Sequence, residues 1–182
     1  MEPAIGLIET NSIAVGIQVG DAMVKRAPVQ LLEARTICPG KYMVLIGGET
    51  APVEEAMQAG RAVGEGAIVD QLLLPNVHLG IFPAIAGAVE MEHVEALGII
   101  ETISVASTII AADAAAKAAE VTLTEIRLAN GLGGKSFVLL IGDVSNVEAA
   151  VEAGARLAKD EGLLIRAVVI PQLHPDMKAK IV

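Results

Sequence analysis

The sequence is poor in the residues that provide covalent cross-links and aromatic packing. Its 182 residues include one cysteine, one tyrosine, two phenylalanines and no tryptophan. One cysteine cannot form an internal disulfide, so we expect a reduced, cytosolic protein. Because 53% of the residues are hydrophobic and only 2% are aromatic, any core must consist of Ala, Val, Ile and Leu. Such a composition suggests apolar surface shared between domains or subunits, and we expect an oligomer.

Long apolar runs and an excess of basic residues are also missing. No apolar run reaches the roughly 18 residues that span a bilayer, and Glu2 stands where a secretory signal would be basic. We therefore expect neither a membrane protein nor a secreted one. Residues 1–91 hold 5 basic and 10 acidic residues, and residues 92–182 hold 8 and 12. This even acidity argues against a nucleic-acid partner, which would require a basic face.

The chain contains two copies of one sequence pattern. Ala4–Thr10 (AIGLIET) returns as Ala96–Thr102 (ALGIIET), and Tyr42–Gly47 (YMVLIG) returns as Phe137–Gly142 (FVLLIG). Matching segments lie 92 to 96 residues apart, which is too long for a solenoid repeat and fits two small domains. We therefore predict two fused domains of the same fold.

Each predicted domain, 1–91 and 92–182, shows the order strand, helix, strand, strand, helix, strand. The predicted strands cover 4–10, 29–37, 42–48 and 67–74, then 96–103, 121–129, 137–143 and 163–170. The predicted helices cover 13–26, 51–65, 105–119 and 146–160, with caps at Thr50 and at Ser145, which forms a capping box with Glu148. This order predicts an α+β fold, the ferredoxin-like split βαβ arrangement.

The first helix has two apolar stripes rather than one. Ile13, Ile17 and Val24 form one stripe, and Val15, Val19 and Met23 form the other. A surface helix needs only one apolar stripe to pack on its own domain. The second stripe is therefore expected to meet another domain or another chain.

The two copies differ most in the loop between their second and third strands. Copy one has Thr36–Lys41 (TICPGK) there, and copy two has Asn130–Lys135 (NGLGGK). A duplication keeps in both halves what the fold needs, so a reactive side chain in one half is a candidate for added function. Cys38 is that candidate, although a lone cysteine is more often a small buried hydrophobic residue than a metal ligand.

Taken in order, the motifs of both copies resemble those of the tandem-domain shell proteins of bacterial microcompartments. In copy one they are Asp21–Lys25 (DAMVK), Cys38–Lys41 (CPGK), Ala56–Gly60 (AMQAG) and Leu74–His78 (LPNVH). In copy two they are Asp113–Lys117 (DAAAK), Gly131–Lys135 (GLGGK), Ala150–Gly154 (AVEAG) and Ile170–His174 (IPQLH). The resemblance implies two microcompartment shell domains, a place in a microcompartment shell in the cytoplasm, and a structural protein rather than an enzyme.

The resemblance also implies an assembly. Such chains form homotrimers whose six domains make a pseudohexameric tile, with other shell proteins as partners. The residues that would line the central hole are Pro39, Gly40, Lys41, Gly131, Leu132, Gly133 and Gly134. The residues that match the family's shell-edge contacts are Lys25, Lys117, His78 and His174. Asn76 and Gln172 stand where many shell proteins have an arginine, which removes a guanidinium from each edge.

The cysteine loop is similar to that of a propanediol-utilisation member of the family, in which the cysteine binds an iron–sulfur cluster. A cluster commonly needs four thiolates, and this chain provides one. A closed trimer would place three copies of Cys38 around one axis, which suits one [4Fe-4S] cluster per trimer. The expected function is then electron transfer across the shell, with a redox enzyme or electron carrier as partner.

Other functions remain open at this point. A zinc ion could be held by the same three sulfurs. A purely structural tile would let small metabolites pass through its central hole and would hold no physiological cluster. By fold analogy alone, split βαβ domains also serve as sensors that bind small effectors.

Overall fold

The structure is a computed structural model that describes residues 3–87, 89 and 95–181. The domain boundary predicted at residue 91 lies outside the described residues. By its internal contacts the chain divides into two compact units. The first comprises the residues up to Val77 with Ala129–Gly134, and the second comprises His78–Leu128 with the residues from Lys135 onward.

The first unit is a four-stranded antiparallel sheet with two helices. Its elements are β1 (Ala4–Thr10), α1 (Ile13–Arg26), β2 (Gln30–Ile37), β3 (Lys41–Gly48), α2 (Thr50–Gly64) and β4 (Ile68–Leu74). The sheet order is β2-β3-β1-β4. Ile8, Val19, Met23 and Met57 are fully buried in the core between sheet and helices.

The second unit repeats this arrangement and adds a helix at each end. Its elements are α3 (Ile81–Ala86), β5 (Ala96–Thr102), α4 (Val105–Ala118), β6 (Thr122–Leu128), β7 (Ser136–Gly142), α5 (Val144–Asp160), β8 (Leu164–Ile170) and α6 (Pro175–Ile181). The sheet order β6-β7-β5-β8 is the same as in the first unit. Helix α3 packs against β6 and α4. The predicted α+β fold of two tandem split βαβ domains is confirmed. No helix in the described part of the chain has the length and apolarity that crossing a membrane requires.

Two predicted helix starts were wrong. Helix α2 begins after Glu49 and α5 begins after Asp143, one and two residues earlier than expected. Neither residue caps its helix with a side chain. Their backbone carbonyls instead accept the first helical hydrogen bonds, at 3.1 Å from Val53 N and 2.9 Å from Val147 N. The predicted capping box therefore lies inside the first turn of α5.

The predicted alignment of the third strands was also wrong, by one residue. Ala4 lies opposite Gly48, and the equivalent Ala96 lies opposite Gly142. Tyr42 therefore corresponds to Ser136 and not to Phe137. A slip of one residue moves every side chain to the other face of a sheet, so the sequence match of YMVLIG with FVLLIG pairs residues of opposite faces.

Candidate functional site

Cys38 lies in the tight loop between β2 and β3, as the sequence predicts. It follows Ile37, the last residue of β2, and Lys41 begins β3. The thiol is free and half-buried, and the next residue, Pro39, is exposed. Gly40 has a φ of 70°, which is the left-handed region that favours glycine. The turn therefore holds one thiol near the surface of the first unit.

A second loop packs against the cysteine turn. Residues 129–134 belong to the same compact unit as Cys38, and the Cys38 backbone N–H donates to the Ala129 carbonyl at 3.2 Å. A Cβ on Gly134 would lie only 3.3 Å from the Cys38 carbonyl oxygen and 3.2 Å from Pro39 Cδ. The sequence did not indicate that this glycine-rich loop supports the turn. The buried Gly134 is the residue that makes this close approach possible.

Three glycines of the two loops face open space. Ideal Cβ atoms built on Gly40, Gly131 and Gly133 would meet no described atom within 4 Å outside the adjacent residues of the chain. Leu132 is the one apolar side chain between Gly131 and Gly134, and it is half-buried. Open space therefore lies beside the cysteine turn, and other molecules can approach it.

Each loop ends in a lysine that pairs with a glutamate of the first strand of its copy. Lys41 pairs with Glu9, whose side chain is 1% exposed, and Lys135 Nζ lies 3.1 Å from Glu101 Oε1. The two glutamates therefore have the same structural role in their copies, as partners of the loop lysines. What the sequence did not indicate is the difference in burial, because Glu101 is 31% exposed. The Lys41 ammonium, next to the Cys38 turn, is thus paired with a buried carboxylate.

The described part of one chain does not provide a complete metal site. Among the described residues, no group of three or more His, Cys, Asp or Glu side chains lies close enough to hold a metal ion. Cys38 supplies one sulfur, and the neighbouring loop from Gly131 to Gly134 supplies no ligating side chain. A half-buried thiol beside open space fits a cluster that several copies share, because the described residues of one chain supply no second ligand beside Cys38.

The predicted edge lysines lie on equivalent helices with equivalent partners. Lys25 Nζ lies 2.6 Å from Asp21 Oδ2, and Lys117 Nζ lies 2.6 Å from Asp113 Oδ2. Lys25 is 72% exposed and Lys117 is 42% exposed. Both ammonium groups are therefore accessible to a neighbouring molecule.

The two histidines also have equivalent surroundings. His78 Nδ1 accepts the Gly80 N–H at 3.1 Å, and His174 Nδ1 accepts the Asp176 N–H at 3.2 Å. Each ring thus closes a short turn just before a helix. Asp113 is a neighbour that sequence reasoning missed, since its Oδ1 accepts the His78 backbone N–H at 2.8 Å.

Comparison with known proteins agrees with this fold and its duplication. The BMC domain model matches the chain twice, over residues 4–77 and 96–173. The chain belongs to the BMC-domain family of shell proteins. It is 45% identical to the bacterial microcompartment shell protein PduT of Citrobacter freundii, over 97% of this chain and 96% of that protein. The predicted tandem-domain type is therefore confirmed.

Single-domain members of the BMC family match half of the chain. The shell protein EutM of Escherichia coli K12 is 40% identical over 46% of this chain and 84% of its own length. A solved microcompartment protein from Desulfitobacterium hafniense DCB is 50% identical, with a TM-score of 0.93 over 98% of this chain and 99% of its own. The relatives show that this BMC-domain protein is a component of a microcompartment shell.

Proposed function

We propose that this shell protein forms a homotrimeric, pseudohexameric tile that binds one [4Fe-4S] cluster through Cys38 of three subunits. The observation that carries the proposal is the free, half-buried thiol in the loop of one copy only. A threefold axis converts one cysteine per chain into three identical thiolate donors. Three thiolates leave the fourth iron for water, a small ligand or a partner.

The open surroundings of the cysteine turn support the proposal. The glycines of both loops carry no side chain that would keep three turns apart at an axis. Gly134 lets the second loop pack closely against the cysteine turn. Lys41, at the end of that turn, forms an ion pair with Glu9. Backbone N–H groups of such a turn can also donate hydrogen bonds to cluster sulfurs.

When bound, the cluster would supply one-electron redox chemistry. The tile would then pass electrons across the shell between a redox enzyme and an electron carrier. The resemblance of the cysteine loop to that of propanediol-utilisation shell proteins supports the same function.

The first experiment compares anaerobically purified wild type with Cys38→Ser. We expect a brown protein with about four irons and four sulfides per trimer, an iron–sulfur absorption band and a paramagnetic signal after reduction. Cys38→Ser should lose all of these and remain folded. Leu132→Ser is the matched control, because it changes the neighbouring loop and leaves the thiol in place. A wild type that stays colourless after reconstitution with iron and sulfide would reject the proposed cluster. If the purified wild type contained zinc that is lost in Cys38→Ser, Cys38 would belong to a zinc site instead.

The second candidate function is a structural tile whose central hole passes small metabolites. The side-chain-free surface at Gly40, Gly131 and Gly133 favours it. The test is the flux of the enclosed pathway in cells that carry Cys38→Ser. Unchanged flux, together with an iron-free wild type, would favour the metabolite-passing tile.

The shell-edge role of Lys25, Lys117, His78 and His174 belongs to the same proposal. The exposure of both ammonium groups supports lateral contact with other shell proteins. Replacing both lysines by alanine should prevent assembly into extended sheets, seen by electron microscopy, and should leave the trimer intact.

A further inference from the structure

One face of the second sheet lies opposite the face on which α5 packs. A Cβ on Gly98 of β5 would lie 2.7 Å from Val151 Cγ2 of α5, so Gly98 faces that helix. Successive residues of a strand point to opposite faces, and Leu97 and Ile99 therefore lie on the other face. That face holds a recess of about 490 Å³. Its volume falls in the range of about 300 to 1,000 Å³ that is typical of small-molecule sites.

The floor of the recess is apolar. Leu97 and Leu139 are buried, and Ile99 and Phe137 are half-buried. Ile181 of α6 packs against the same residues. An adjoining cavity of about 290 Å³ shares Leu139 and Ile181 with the recess. The surface can therefore hold an extended apolar group.

Three of the four charged side chains that line the recess belong to ion pairs. Arg127 pairs with Glu125, and its guanidinium carbon lies 5.3 Å from the centre of the Phe137 ring. Glu101 Oε1 lies 3.1 Å from Lys135 Nζ. Each carboxylate of the recess thus already has a cation beside it.

Lys180 of α6 is the fourth charged side chain. It is exposed and forms no ion pair with any described residue. The chain as a whole carries a net charge of −9, yet this recess has one positive charge in excess. A cationic ligand would have to displace Arg127 or Lys135 from its glutamate. The charges therefore favour a ligand with a single negative charge.

The recess is a feature of the second copy. The counterparts of its four floor residues in the first copy are all fully buried: Ile5, Leu7, Met43 and Leu45. By the order of the repeat, Ala84 stands where the second copy has Lys180. At these positions the first copy offers neither the opening nor the cation.

We propose that this recess binds an amphipathic monoanion, a carboxylate with an unbranched apolar chain of about six to ten carbons. The chain lies on the floor formed by Leu97, Ile99, Phe137 and Leu139, and the carboxylate pairs with the Lys180 ammonium. The site is separate from Cys38 and does not rest on the proposed cluster. It gives the second copy a ligand of its own.

Calorimetric titration of the full-length protein with octanoate tests the site. We expect one octanoate per chain. Hexanoate should bind about tenfold more weakly and decanoate about tenfold more tightly, because each step changes the buried chain by two methylene groups. An affinity that does not depend on chain length would contradict the apolar floor. The absence of saturable octanoate binding would overturn the proposal.

The role of the charge is tested by comparing octanoate with octanol. The wild type should bind octanoate about fivefold more tightly than octanol, and Lys180→Gln should abolish this preference. Lys178→Gln is the matched control, because Lys178 lies on the same helix outside the recess and its loss should leave the preference unchanged. A purely structural effect of Lys180→Gln would weaken both ligands alike. A preference that survives in Lys180→Gln would contradict the assigned pairing.

The position of the ligand is tested by a charge on the floor. Ile99→Glu should weaken octanoate binding more than about tenfold, because it places a carboxylate against the aliphatic chain. Leu157→Glu adds the same charge at an exposed position of α5, outside the recess, and should bind octanoate as the wild type does. Circular dichroism verifies that both variants fold. Unchanged binding in a folded Ile99→Glu would show that octanoate binds elsewhere.

The outcomes separate this inference from the proposed function. The recess belongs to the second compact unit and Cys38 to the first, so Cys38→Ser should bind octanoate as tightly as the wild type. A protein with a cluster and no octanoate binding would lose this site and keep the proposed function. Octanoate binding without iron would support the site and remove the cluster.

Discussion

Helices α1 and α4 have the same place in two copies of one fold, yet their outer faces have different surroundings. Val105 and Ile109 of α4 are fully buried, whereas Ile13 and Ile17 of α1 are 42% and 55% exposed. The internal cores are alike, with Ile8 and Ile100 both fully buried. A duplication can thus keep the core in both copies while the outer face of α4 is buried and the outer face of α1 stays exposed.

The loops after β2 and β6 extend this comparison. The first has a thiol in a short turn, and the second has Gly134, which packs against that turn. One loop therefore holds the reactive group while its counterpart provides support. The two copies therefore share a fold, but their equivalent surface loops have different roles.

The largest expected effect comes from placing a charge on each outer face. Ile109→Lys should destabilise the fold by about 4 kcal/mol or more, because it buries an unpaired ammonium. Ile17→Lys should change the stability of the isolated chain by less than about 0.5 kcal/mol and dissociate the proposed trimer. Urea unfolding and sedimentation measure the two effects. Equal losses of unfolding free energy in the two variants would contradict the exposure of the α1 face.

A second pair tests the helix contacts that both copies share. Gly154→Ala should cost about 3 kcal/mol, since its Cβ would lie 2.5 Å from the Ala111 carbonyl oxygen, which belongs to the backbone. Gly60→Ala should cost less, about 1 to 2 kcal/mol, because its nearest atoms, Ile8 Cδ1 at 2.7 Å and Met23 Cγ at 2.8 Å, belong to side chains that can shift, whereas a backbone oxygen cannot. Thermal and urea unfolding of the two variants measure the two losses of stability. A larger loss for Gly60→Ala would contradict the assigned contacts.

The smallest expected difference concerns the two glutamate–lysine pairs. Glu9→Gln should cost about 2 kcal/mol, because it leaves the Lys41 charge largely buried without its partner. Glu101→Gln should cost less than about 0.5 kcal/mol, because that pair is partly exposed. Urea unfolding gives both values. In the double variant Glu9→Gln, Lys41→Met, part of the loss should return, and a fully additive loss would show that the pair does not interact.

Much of the fold could be predicted from local patterns. The predicted strands and helices end within about two residues of the observed ones, because alternating and helical apolar periods and turn residues are local signals. The starts of α2 and α5 were missed, since Glu49 and Asp143 begin their helices through backbone carbonyls alone. The one-residue slip between Tyr42 and Phe137 arose because strand register depends on the partner strand.

The candidate site was predicted in part. The sequence identified Cys38 and its turn, because the two copies differ there. It did not indicate that Gly134 packs on the turn or that Asp113 accepts the His78 N–H. The partners in these contacts lie 96 and 35 residues apart, and no local pattern reports such distances.

The sequence by itself determined that the protein consists of two copies of one α+β domain, with one thiol in one loop. These features follow from periodicity, repetition and residue identity, which need no neighbours. Only the tertiary structure decided that α4 is covered while α1 is not, and that Glu9 is buried while Glu101 is partly exposed. Burial depends on residues that are distant in the chain, so identical motifs acquire different environments once the chain has folded.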